Sequence, residues 1–132
     1  MAFITAKNSK ENLQAHMKTS TNHSFISDEP VDLGGNNEGP TAGELLASSL
    51  AACTAITLRM YVNHKKLTTI EDINVDIDLD YDKDAGKITF KRKIKIDGEY
   101  DESILKRFHH VANACPVHKM LSGEIVTETE FI

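Results

Sequence analysis

The chain has 132 residues, 40% of them hydrophobic, with seven glycines and three prolines, enough apolar mass for one folded domain and too little Gly and Pro for a disordered chain. A formal charge of −5 with scattered lysines argues against nucleic acid or an anionic membrane as a partner. The N-terminal Met1-Ala2-Phe3-Ile4-Thr5 lacks a charged segment followed by an apolar run, so no secretory signal is expected and the cytoplasm is the default location.

Residues 2–7 and 12–18 read as short β-rich segments around the polar turn Asn8–Glu11, and Ser24–Ile26 as a third short strand. Residues 28–40, dense in Gly, Pro, Asn and Asp, read as a loop. Thr41 followed by Glu44 three residues on is a capping box, which starts a helix running to about Asn63. Leu46, Leu50, Cys53, Ile56 and Met60 fall near one face, and the opposite face is also small or apolar. Burial on all sides is therefore expected. Glu44 and Arg59 interrupt this helix too much for a membrane span.

Ile73, Val75, Ile77, Leu79 and Tyr81 alternate with polar residues, the period of a half-buried strand. A turn at 83–86 leads to a second strand with Ile88, Phe90, Ile94 and Ile96 on one face. Folding there sets Asp82 opposite Lys87, Asp78 opposite Lys91 and Asp76 opposite Lys93, which specifies register on a solvated face. Arg92 breaks the pattern by falling on the apolar face. It either snorkels from a ragged sheet edge or is paired near a cavity, because burying it alone is costly. Asp101 caps a second helix carrying Ile104, Leu105, Phe108, Val111 and Ala112. Pro116 ends it at Cys115 and starts a short helix to about Leu121. Residues 124–131 alternate as a closing strand.

Cys53 and Cys115 are the only cysteines, and in a reducing compartment a catalytic or metal-binding use outranks a structural disulfide. Cys115 stands where a helix dipole favours a thiolate, whereas Cys53 lies mid-helix and needs a nearby cation. Glu44 lies about 13 Å along the helix from Cys53 and half a turn round, so it reaches only the Cys53 of a second copy crossing antiparallel. Cys115 and His118, with Cys53 and His109 or His110, form a weaker case for metal, since no second Cys-x-x-Cys or Cys-x-x-His exists.

Asp28-Glu29-Pro30, Gly34-Gly35, Gly39-Pro40-Thr41, Glu44-Leu45-Leu46, Leu50-Ala51-Ala52-Cys53-Thr54 and Cys115-Pro116-Val117-His118, in this order and spacing, resemble the family of osmotically inducible and organic hydroperoxide resistance proteins. The resemblance implies an α+β fold in which antiparallel sheets wrap a long cysteine-bearing helix, as a single domain in an intertwined homodimer. It implies no cofactor or metal, and organic hydroperoxides as substrates. Cys53 attacks the peroxide, Cys115 resolves the sulfenic acid to a disulfide, and a dithiol, of the lipoyl type in relatives, restores the pair. Family peroxidases place an arginine from the N-terminal strands near the attacking thiol, held by a glutamate at the start of the cysteine helix. Here no arginine precedes Arg59, and Gly43 stands at the glutamate position with Glu44 one residue along. Glu44 is the candidate for the glutamate. Arg59, Arg92 and Arg107 are the possible replacement cations, with Lys10 or Lys18 poorer for want of a planar fork; Arg92, turned inward by its strand phase, is the choice. The alternative is a small-molecule binding protein on the same fold with weak or no peroxidase activity.

Overall fold

The computed structural model describes residues 2–132, which divide into two compact units at Leu46/Ala47. In the first unit β1 (Ile4–Asn8), β2 (Ala15–Thr19) and β3 (Ser24–Ser27) form an antiparallel sheet in sequential order. The Asn8 side chain closes the β1–β2 turn by donating to the Asn12 and Gln14 carbonyls at 3.0 and 2.8 Å. Asn22, at φ 70°, makes the β2–β3 turn, a conformation asparagine tolerates.

The loop that follows contains a 3-10 turn at Val31–Leu33 and is organised by one buried carboxylate. Asp28 accepts from the backbone N–H groups of Glu29, Asn36 and Glu38 and from the Gln14 amide, which also bonds Glu38. Burial pushes the Asp28 carboxyl up, but these donors together hold it below the usual carboxylate range. Gly39 packs so tightly on β3 that a Cβ would lie 2.1 Å from the Ile26 carbonyl oxygen.

Helix α1 (Ala42–His64) begins with the expected reciprocal cap: Thr41 N–H donates to Glu44 Oε2 at 2.7 Å, and Glu44 N–H to Thr41 Oγ1 at 3.2 Å. In the second unit the remainder of α1 meets a two-stranded sheet, β4 (Ile70–Asp82) and β5 (Lys87–Gly98), with α2 (Glu102–Asn113) and α3 (Pro116–Ser122) completing it. The β4–β5 register pairs Asp82 with Lys87, Asp78 with Lys91 and Asp76 with Lys93, as the alternation requires. None of these three pairs closes to ion-pair distance; Lys95 and Asp97, at 3.2 Å, are the one ion pair among the described residues.

Leu58, Val62, Ile70, Phe108 and Ala112 form the core, so α1, β4 and α2 share it. Phe108 takes Tyr61 and Tyr100 edge-on, with ring centroids 6.1 and 5.3 Å away. The expectation that α1 is buried all round is corrected. Its buried stripe is Leu50, Thr54, Leu58 and Val62, at steps of four residues, while Ile56 and Met60 are 59% and 66% exposed. The helix is also long and apolar enough to cross a membrane by length and composition, so Glu44 and Arg59 do not by themselves rule that out.

Residues 124–131 form no strand. An alternating segment becomes a strand only where another edge accepts its backbone groups, and the tail bonds to none among the described residues.

Candidate thiol site

Pro116 bars helical geometry at Cys115, which is extended (φ −58°, ψ 134°) between α2 and α3 and caps α3. The Cys115 sulfur is fully buried and accepts from the His118 N–H at 3.4 Å. One donor from α1 reaches it, the Thr54 hydroxyl at 3.9 Å, and Cys53 is the residue before Thr54 on that helix. Burial pushes the Cys115 thiol up. Its polar neighbours, the His118 N–H, Cys53, Thr54 and the Val117 N–H, outweigh it and hold the thiol below its ordinary value. Cys53 is half-buried, with its sulfur 4.0 Å from Thr57 Oγ1. Both cysteines are free thiols.

Arg92 settles its two possible placements in favour of the paired one. From β5 its guanidinium donates to Thr54 Oγ1 at 3.0 Å, the Ala112 carbonyl at 3.1 Å and Asn113 Oδ1 at 2.8 Å. It therefore reaches the thiols through Thr54. Arg59 donates to the Glu71 carbonyl, and Arg107, Lys10 and Lys18 are exposed. The Glu44 carboxylate is exposed and accepts from the Thr41 N–H at its own helix start.

Thr54 and Asn113 are the site residues that the sequence reading missed. Thr54 carried a signal: it is the one hydroxyl in the four-residue stripe Leu50, Thr54, Leu58, Val62, and a fully buried hydroxyl demands a partner. Asn113 carried none, because only the fold brings the end of α2 to Arg92. Beside Arg92 opens a cavity of about 420 Å³ lined by Leu50, Phe90, His118 and Leu121 among others. Among the described residues no three His, Cys, Asp or Glu side chains converge as metal ligands. The sulfurs of Cys53 and Cys115 can instead exchange a proton or join as a disulfide.

The solved structures that the chain resembles include an OsmC-like protein of Mycoplasma pneumoniae, at 21% identity and TM-score 0.75, covering 93% of this chain and 88% of that one. A Psychrobacter arcticus protein described as osmotic-stress-induced and of the detoxification response matches at 24% identity and TM-score 0.74, over 90% and 85%. OhrB, an organic hydroperoxide resistance protein of Bacillus subtilis, matches at 19% and 0.61, over 93% and 91%. At these identities the likeness shows the fold: mixed α+β, with antiparallel sheets and a long helix. No match is found among curated proteins. The family model for OsmC-like protein matches residues 35–130, which include both cysteines and the whole of α1, and the chain belongs to that family.

Proposed function

We propose that this protein is a thiol-dependent peroxidase that reduces organic hydroperoxides through Cys53 and Cys115. The observation that carries the reading is that Thr54, the residue after Cys53 on α1, donates to the buried Cys115 sulfur, which brings the two thiols near each other in a chain with no other cysteine. Cys53, the more accessible sulfur, attacks the terminal peroxide oxygen. A sulfur–oxygen bond forms, the oxygen–oxygen bond breaks, and the alcohol leaves. Cys115 then attacks the sulfenic sulfur and expels water as the disulfide forms. A dithiol, of the lipoyl type in this reading, returns two electrons. The names of structural relatives, such as the hydroperoxide resistance proteins of Bacillus subtilis and Legionella pneumophila, support the substrate class.

The proposed working unit is a cytoplasmic homodimer, because exposed Ile56 and Met60 on α1 are the kind of apolar face a second copy covers. Glu44 keeps a proposed supporting role at the start of the cysteine helix. Stopped-flow oxidation of the reduced protein by cumene hydroperoxide tests the chemistry. Cys53→Ser is expected to abolish the reaction, and Cys115→Ser to react once and stop at the sulfenic acid. The opposite pattern makes Cys115 the attacking thiol.

One observation favours a second reading, a small-molecule binding protein on this fold. Arg92 donates to Thr54, Ala112 and Asn113, and among the described residues no arginine bonds Cys53. A second-order rate no faster than that of free cysteine would favour binding over catalysis.

A further inference from the structure

Hydrogen-bond direction around Cys115 carries one step more, resting on the peroxidase reading above. Arginine can only donate, so the 3.0 Å contact makes Thr54 Oγ1 an acceptor and leaves its single hydrogen for Cys115, 3.9 Å away. Thr54 is fully buried, and no water competes for that hydrogen. The His118 N–H also donates to the same sulfur, at 3.4 Å. Three side chains thus form a one-way chain, Arg92 to Thr54 to Cys115, and Cys53 precedes Thr54 on α1. A sulfur that only receives is the one on which negative charge rests.

We propose that Cys115 is the resting thiolate of the pair and the proton shuttle for Cys53, with Thr54 and Arg92 as the positioning residues that keep it charged. As the peroxide arrives, Cys115 takes the Cys53 proton and Cys53 attacks. The sulfur–oxygen bond forms, the oxygen–oxygen bond breaks, and the departing alkoxide receives the proton back from Cys115. The products are Cys53 sulfenic acid, the alcohol and a Cys115 thiolate. That thiolate is the nucleophile for the next step, attacking the Cys53 sulfur and releasing hydroxide, which takes a proton from bulk solvent and leaves as water. Thr57, whose hydroxyl lies 4.0 Å from Cys53, can donate to that sulfur while it carries the charge. The titratable or charged groups around the pair are Arg92 on β5 and His118 on α3. Helix α2 contributes the Ala112 carbonyl and the Asn113 amide, both bonded to Arg92.

The test compares the full-length reduced protein with four variants, using thiolate ultraviolet absorbance against pH and single-turnover oxidation by cumene hydroperoxide across the same range. In Cys53→Ser only Cys115 titrates, and in Cys115→Ser only Cys53. The first midpoint is expected below the second, and the reverse order overturns the proposal. Thr54→Val, which removes the hydroxyl at constant shape, is expected to raise the pH midpoint of oxidation by about one unit, about tenfold in thiolate at lower pH. Thr54→Ser is expected to restore it. Equal midpoints for wild type, valine and serine overturn the relay. Cys115→Ser is expected to react more slowly, with its profile displaced to higher pH; an unchanged rate and profile overturn the shuttle while leaving Cys53 as the attacking thiol. Reaction of Cys53→Ser with peroxide makes Cys115 the attacking thiol and overturns the shuttle, whereas a wild-type protein that peroxide does not oxidise overturns the peroxidase reading itself.

Discussion

Replacing Arg92 with methionine keeps an aliphatic stem and deletes three donated hydrogen bonds, and the structure ranks their worth. Asn113 is exposed, so water replaces its lost donor at little cost. The Ala112 carbonyl still receives the N–H groups of Ala114 and Cys115. The bond to fully buried Thr54 is different, because among the described residues no other group donates to its oxygen and a charged donor contributes about 1.5–3 kcal/mol. Arg92 itself is only half-buried, which argues for the lower part of that range. A loss of about 2 kcal/mol is expected.

With a urea slope of about 1–3 kcal/mol per molar, that loss lowers the midpoint by about 1 M. The measurement is urea unfolding of the reduced protein at one fixed chain concentration, since dimerisation would make stability concentration-dependent. Arg92→Lys should fall between wild type and methionine, because an ammonium can hold one acceptor but lacks the planar fork. A methionine variant with a midpoint within about 0.2 M of wild type would falsify the claim that Arg92 holds Thr54.

The folded-state value of Cys115 is depressed, so its contribution to stability is complete above the unfolded thiol value of about 8.5 and disappears as pH falls through the folded value. The urea midpoint of the reduced protein should therefore climb with pH across that window, and Cys115→Ser should lose the climb. Gly39→Ala drives a methyl into the Ile26 carbonyl, so a loss of more than about 1 kcal/mol is expected by thermal unfolding; an unchanged melting temperature refutes the close approach. Ile56→Glu places a charge on the exposed face of α1 and should give a folded monomer in sedimentation at micromolar concentration, whereas an intact dimer moves the interface elsewhere.

The local pieces were legible where one short-range signal decides the outcome. Thr41 and Glu44 cap each other because their spacing allows nothing simpler, and the β4–β5 register follows from a period-two pattern closed by one turn. Pro116 stopped α2 and put Cys115 at the start of α3 for reasons confined to three residues. The faces of α1 were not legible, since a helix apolar on both sides carries no phase to say which stripe meets the sheet. Thr54 was hidden in the same way. Arg92 was visible as an inward charge, but its partners on α1 and α2 are 38, 20 and 21 residues away in sequence and no local pattern names them. The tail at 124–131 failed because alternation says what a strand would look like and not whether an edge exists to receive it.

What distinguishes this chain is where its cation enters. Without an arginine before Arg59, the first 46 residues cannot bring a guanidinium to the cysteine helix. The guanidinium comes from β5 instead, and the side chain it meets on α1 is Thr54, the residue after Cys53. A helix turns about 100° per residue, so Thr54 and Cys53 face different neighbours, and the polarising contact is delivered to the Cys115 sulfur. In the proposed mechanism this arginine keeps the buried Cys115 charged while Cys53, half-buried, is the more accessible sulfur. Charge and access would then sit on atoms 62 residues apart in sequence, and Thr54, adjacent to Cys53 and bonded to Cys115, is the connection beside which the proposed chemistry has to pass.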